Sequence, residues 1–209
     1  MRTVEELLSS ISHDIVWRKK ELTELKSMLD SHEGKIKQRV LVRAAVALLY
    51  AHWEGFVKKA AGYYVKHVAM QRENLDRLQT NFLVLSARAS SDFSSGGFKH
   101  GIHLAEFYLR CSGKRANVPY KNVIDTRSNL GSNVLKEILL ILGFDESYFS
   151  TRFKFIDSNL VSPRNHVAHG EEISITFEEY EVLHHDVLSM IEEFRNMIEN
   201  AAATRQYLK

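Results

Sequence analysis

Ser162-Pro163-Arg164-Asn165-His166-Val167-Ala168-His169-Gly170 sets a guanidinium, a carboxamide and two imidazoles within about two helical turns of one another. Gly170 suits the left-handed residue that closes a helix. That puts His169 in the last turn, where the negative end of the helix dipole favours positive charge. Arginine offers a fixed fork of donors that matches a phosphodiester, histidine gives or takes a proton near neutral pH, and asparagine can orient either one. At about 100° per residue Asn165 and His169 share a face, while Arg164 and His169 diverge by about 140°. Asn165 is therefore placed to brace His169. Arg164 meets the same phosphate only by swinging its side chain or by working across an interface. Ser162 suits an N-cap and Pro163 the first helical position, so the spacing predicts a helix that restarts here. The same residue types also cap helices and bond surface backbone without doing chemistry, so spacing alone does not choose between the two readings.

Helical signals dominate on both sides of this stretch. Thr3-Val4-Glu5-Glu6 fits a capping box, and Leu7, Leu8, Ile11, Ile15, Leu22 and Leu25 keep helical spacing to about Leu29. From Val40 to about Leu75 there is no proline. Val42, Ala45, Val46, Leu49, Trp53, Phe56, Val57, Ala60, Tyr64 and Val68 mark a long buried helix, with Gly55 and Gly62 its weak points. Residues 83–130 hold no steady period, and Ser90-Ser91-Asp92-Phe93-Ser94-Ser95-Gly96-Gly97 has loop composition, so this region is expected to be a loop-rich insert with a short helix at Ile102 to Leu109. Helix resumes from Ser132 to Leu142, with Gly143 as its stop, and a further helical segment runs from Tyr148 toward the motif. Thr176-Phe177-Glu178-Glu179 is a second capping box, opening a last long helix whose apolar face runs from Phe177 to Ala201. Ile173-Ser174-Ile175 alternates but is too short to carry a sheet. The expectation is a single all-α domain over residues 1–209, a bundle of about five main helices.

The composition narrows the function. The chain has 209 residues, 44% of them hydrophobic, enough for one domain with a real core. No apolar run approaches the roughly 20 residues that cross a bilayer, and the first residues lack a signal peptide's pattern, so the expected setting is the cytoplasm with no membrane partner. Cys111 is the single cysteine, which excludes an intrachain disulfide and a thiolate metal cage. No H-E-x-x-H, Cys/His pairing or D-x-D cluster suggests a metal, and Ser94-Ser95-Gly96-Gly97 lacks the Lys-Ser/Thr of a phosphate loop, so no cofactor is expected. His184-His185-Asp186 and Glu178-Glu179 read as the polar side of an amphipathic helix. The net charge of +2 is too small to draw nucleic acid by itself. A local patch is available between Lys99 and Lys121. There Lys99, Arg110, Lys114, Arg115 and Lys121 are interleaved with His100, His103, Phe107, Tyr108 and Tyr120, a mixture able to hold phosphate and stack on unpaired bases, or to form an ordinary solvated surface.

Arg164-Asn165-x-x-x-His169 resembles the R-x(4–6)-H signature of the HEPN superfamily, in which a polar residue, often Asn, follows the arginine. Asp157-Ser158-Asn159-Leu160-Val161 before the motif and Val167-Ala168-His169-Gly170-Glu171 through it are similar to a HEPN-like nuclease branch. So are Ser128-Asn129-Leu130-Gly131-Ser132-Asn133-Val134-Leu135-Lys136-Glu137-Ile138-Leu139 and the helix carrying His52-Trp53-Glu54-Gly55-Phe56-Val57-Lys58-Lys59. Pro163, directly before the arginine, is less expected inside a helix.

The resemblance implies a HEPN-like helical bundle and a metal-independent endoribonuclease in a toxin or antiviral setting, working as a homodimer with its two motifs facing one another and with room for a neutralising partner protein. Arg164, Asn165 and His169 are its candidate catalytic residues, and His166 is a lesser candidate for binding RNA. Glu54, otherwise an ordinary i, i+4 partner of Lys58, becomes a candidate supporting residue. Trp53 and Phe56 are read as core rather than as base-stacking platforms. The rival readings are a non-catalytic HEPN-like module that binds RNA, nucleotide or protein, and DNA cleavage, which lacks the 2′-hydroxyl that a metal-free mechanism uses.

Overall fold

A computed structural model describes residues 1–32, 36–90 and 98–209. Helix α1 (Val4–Asp30) starts where Thr3 accepts from the Glu6 amide at 3.2 Å. The capping box there is only half made, because the Glu6 carboxylate takes the Arg2 amide and the chain's own amino group instead. Helix α2 (Ile36–Gln71) passes Gly55 and Gly62 unbroken and is the axis of the fold, with α1 and the last helix, α8 (Phe177–Ala203), packed along it. Its Trp53 ring, fully buried, meets Phe149 and Phe194 at centroid distances of 6.2 and 6.4 Å, and the fully buried Phe56 ring meets Phe194 at 6.2 Å. Each such ring contributes about 1.5–3 kcal/mol by leaving water. An 18-residue window of α2 has a mean hydropathy of 1.4, long and apolar enough to cross a bilayer. That corrects the expectation that no run reaches that mark. In this fold the helix buries its apolar residues against its neighbours.

One polar network is built into this core. Arg18 and Asp14 on α1 are buried and joined at 2.6 Å, and Asp14 also accepts from Lys59 at 2.9 Å and from the Trp17 indole at 3.2 Å. Arg18 reaches across to the His52 carbonyl at 3.1 Å, and the His52 Nε2 lies 2.8 Å from a Glu21 carboxylate oxygen. Gly55 makes room here: a Cβ would sit 3.1 Å from the Arg18 guanidinium, which would have to give by a few tenths of an ångström. Burial alone would raise the Asp14 carboxyl, but the bonds from Arg18 and Lys59 outweigh it and hold the group below its usual value.

The region expected to be a loop-rich insert is more ordered than its composition suggested. Helix α3 (Thr80–Ser90) buries Phe82 and Leu85, and α4 (Phe98–Leu109) extends the short helix expected there. Short length and small residues hid the period of α3, and packing against α5 (Ser132–Leu142) supplies what periodicity lacked. The loop-like stretch 91–97 lies outside the described residues. From 118 to 131 the chain is irregular yet still sends Val118, Ile124 and Leu130 into the core. Cys111 packs with Leu75 and Leu83 in a small satellite cluster. The described residues are all-α, with the segment 172–176 in no regular element, and the Thr176 capping box is complete in both directions, at 2.8 and 3.2 Å. His184 departs from the polar face expected of it and is buried.

Candidate active site

The motif helix does not restart at Ser162. A 3₁₀ segment (Glu146–Arg152), helix α6 (Phe153–Phe155), a π-helical turn (Ile156–Val161) and α7 (Ser162–Ala168) follow without interruption, and Ser162 has helical angles rather than those of a cap. Proline explains the wide turn. In an α-helix its ring would collide with the carbonyl four residues back, and it has no N–H to give. Widening the preceding turn, with Ser162 N–H bonded to the Asp157 carbonyl, lets Pro163 sit inside a continuous helix. At the other end Gly170, at φ +74°, closes the helix. Its N–H bonds the Val167 carbonyl at 3.1 Å, and the Glu171 N–H bonds that of His166 at 2.9 Å. Arg43 on α2 then donates to the Glu171 carbonyl at 2.8 Å and fixes the chain leaving the motif.

Arg164 is half-buried and held on three sides. Its Nη1 donates to the Asn165 Oδ1 at 2.8 Å, its Nη2 donates to the Ser128 carbonyl at 2.9 Å, and its guanidinium carbon lies 4.7 Å from the centroid of the Tyr50 ring. Asn165 thus orients the arginine. Its side chain does not brace His169, whose only tie to it is the helical bond from the His169 N–H to the Asn165 carbonyl, 2.9 Å. The His169 imidazole is exposed and makes no hydrogen bond or ion pair among the described residues. His166 is engaged: one ring nitrogen lies 2.7 Å from the Ser162 carbonyl, the other 3.4 Å from a Glu171 carboxylate oxygen. Arg164 and His169 do not meet within one chain, in keeping with their angular divergence.

The separated sequence blocks converge on this helix. Asp157 caps the start of α5, taking the Ser132 N–H at 2.7 Å and its hydroxyl at 2.6 Å. Ser128 supplies the carbonyl for Arg164 from a turn in which both Arg127 and Ser128 have positive φ, 53° and 58°. Two such residues cost about 1–3 kcal/mol each. The turn is held by Arg127, whose N–H bonds Asp125 at 2.8 Å and whose guanidinium meets Glu137 at 2.6 Å.

Tyr50 is the residue that sequence reasoning missed. It is 1% exposed, and its hydroxyl accepts the Leu130 N–H at 2.5 Å. Burial pushes that hydroxyl well above the usual phenol range. The Leu130 N–H and Arg164 pull it down, and the Glu54 carboxylate beside it pushes it up. At its position in the apolar stripe Tyr50 reads as plain core. The available signal was its i, i+4 relation to Glu54, which touches the site through it rather than by pairing with Lys58.

The basic residues proposed for RNA contact lie elsewhere. Lys99, Arg110, Lys114, Arg115 and Lys121 are all exposed, on α4 or in the chain after it. Arg110 and Lys114 share a shallow pocket with His103, Glu106, Phe107 and Cys111, on the helix that packs against α3, and among the described residues no hydrogen bond or ion pair joins any of the five to the motif. The His100 side chain lies outside the described residues. No three His, Cys, Asp or Glu side chains among the described residues are grouped so as to hold a metal ion.

No curated protein and no solved structure matches the chain. A family model does, the one described as RiboL-PSP-HEPN, and it covers residues 13–200. That span takes in the Asp14 network, Tyr50, the Ser128 turn and the whole motif, so the chain belongs to the RiboL-PSP-HEPN family of the HEPN superfamily.

Proposed function

We propose that this protein is a metal-independent endoribonuclease. One observation carries the reading: Arg164 is immobilised on Tyr50, Asn165 and the Ser128 carbonyl, while the His169 imidazole, five residues on, is exposed and uncommitted. A fixed cation and an available proton carrier are what transesterification of RNA requires. The 2′-hydroxyl oxygen of the substrate attacks the adjacent phosphorus and loses its proton to a base. The P–O5′ bond breaks, and the leaving oxygen takes up a proton. Arg164 holds and neutralises the phosphate, Asn165 keeps the guanidinium in place, and His169 transfers the proton. The nucleophile belongs to the RNA, so the chemistry asks for no serine, cysteine or metal of the protein.

Because Arg164 and His169 diverge on one helix, the site is completed by a second copy of the chain, Arg164 of one facing His169 of the other across a two-fold axis. A toxin or antiviral role in the cytoplasm, with a neutralising partner, belongs to the same reading. One observation favours a second reading, a non-catalytic RNA-binding module: two of the Arg164 donors are already spent on protein acceptors. Labelled single-stranded RNA and DNA of the same sequence, incubated with the protein in excess chelator, separate the two. The nuclease reading expects cut RNA and intact DNA, the binding reading expects retention of RNA without cleavage, and cleavage of DNA contradicts both.

A further inference from the structure

We infer that Tyr50 is the positioning residue of this site, setting the direction of Arg164 through the surface it rests on and through one of the acceptors it bonds; the inference rests on the nuclease reading only for its effect on rate. The argument is geometric. The Tyr50 ring lies under the guanidinium at 4.7 Å and is the surface on which the fork rests. The Tyr50 hydroxyl takes the Leu130 N–H at 2.5 Å and lies 3.4 Å from the Asn129 Oδ1, which fixes the chain directly after Ser128. The Ser128 carbonyl bonds the second guanidinium nitrogen. One buried side chain therefore sets both the surface on which Arg164 rests and the acceptor that stops it rotating on that surface. The Arg127-Ser128 turn holds two left-handed residues and does not stay in that shape by itself. The clasp to Tyr50 is one of the contacts that keep it there. Tyr50 touches no substrate in this arrangement and acts through Arg164 alone.

The test uses the full chain with Tyr50→Phe, Tyr50→Leu and, as a control for lost core packing elsewhere on α2, Val57→Ala. The first readout is independent of chemistry: the side-chain NMR signals of Arg164, assigned by their loss in Arg164→Lys. Lying over the ring, its Cδ and Nε protons are expected upfield in the wild type and in Tyr50→Phe, and at ordinary arginine positions in Tyr50→Leu. The Asn129 and Leu130 amides are expected to move in Tyr50→Phe. Unshifted Arg164 signals in the wild type, or shifts that survive Tyr50→Leu, overturn the inference. The second readout is RNA cleavage in chelator. Misplacing a reacting group by about 1 Å can cost about 10²-fold, so Tyr50→Leu is expected to lose kcat on that order, Tyr50→Phe less, and Val57→Ala nothing once scaled to folded protein. Equal losses in Val57→Ala assign the effect to stability and overturn the inference. A wild type that cleaves nothing removes the nuclease reading and leaves the NMR result to decide the role of Tyr50.

Discussion

The Arg164 guanidinium carbon lies 4.7 Å from the centroid of the buried Tyr50 ring, so the phosphate ligand suggested by the sequence is fastened to the central helix of the fold. His169, on the same short helix end, is fastened to nothing but its own backbone. The two halves of the motif differ in mechanical character, and that difference makes them separable by experiment.

His169→Ala is expected to leave the melting temperature unchanged, since exposed substitutions fall within about 0.5 kcal/mol, and to reduce RNA cleavage by ~10²–10⁴-fold. Arg164→Ala is expected to lose activity and also roughly 1–2 kcal/mol of stability, from its contact with the ring and its two hydrogen bonds. Thermal melts beside cleavage assays check both. Retained activity in His169→Ala shows that the exposed imidazole is not the proton carrier.

Mixing the two inactive chains tests the composite site. Of the two Arg164/His169 pairs across the axis, a mixed dimer of Arg164→Ala and His169→Ala keeps one intact, so activity should return in part, up to about half the share of mixed dimers. A wild-type monomer that cleaves RNA at full rate at micromolar concentration contradicts the shared cleft.

The Asp14 network makes a separate prediction about stability. Asp14→Ala leaves the Arg18 guanidinium, 4% exposed, without its counter-ion, and breaking a buried pair in this way costs about 3–5 kcal/mol. Urea unfolding should show that loss. Activity per folded molecule should not change, because the network lies on the α1 side of α2.

Acid should destabilise the fold before it reaches the carboxylates. His52, His67 and His184 are buried, and burial holds all three below the usual histidine value. In the unfolded chain they take up protons near pH 6.5, while in the fold they resist until lower pH. Their contribution is therefore complete above about pH 6.5 and is lost as the pH falls toward their folded values, at no more than ~1.4 kcal/mol per pH unit for each. Asp14, held low, gives way only below about pH 4. Melting temperatures should be level above pH 7, decline from about pH 6.5 toward 5, and decline again below 4. A flat profile down to pH 5 contradicts the burial of these rings.

Much of the fold was legible because long amphipathic helices announce themselves. Thr176 with Glu179, Gly143 and the apolar stripe of α2 each mark an element the structure contains. Helix α3 was not legible, since eleven residues with no cap signal owe their helicity to what they pack against. Of the site, Arg164, Asn165 and His169 were visible as a motif, but what surrounds them was not. Pro163 reads locally as a helix start, and only the π turn before it explains how it sits in mid-helix. Asn165 sits at i, i+4 spacing to His169 yet bonds the neighbouring Arg164, because a side-chain amide follows the nearest strong donor. Tyr50, 114 residues from Arg164 in sequence, is marked locally only by its i, i+4 relation to Glu54, a spacing that ordinary helix surfaces also show.

The most direct test of the account is the chemistry of the cut ends. RNA incubated with wild-type protein in excess chelator should yield fragments ending in 2′,3′-cyclic phosphate, ageing to 3′-phosphate, with 5′-hydroxyl partners, all absent with His169→Ala. Mass spectrometry of the fragments reads this without labels. Fragments with 3′-hydroxyl and 5′-phosphate ends, or cleavage that appears only when Mg²⁺ or Mn²⁺ is added, would contradict attack by the substrate's own 2′-hydroxyl and with it the role given to Arg164 and His169.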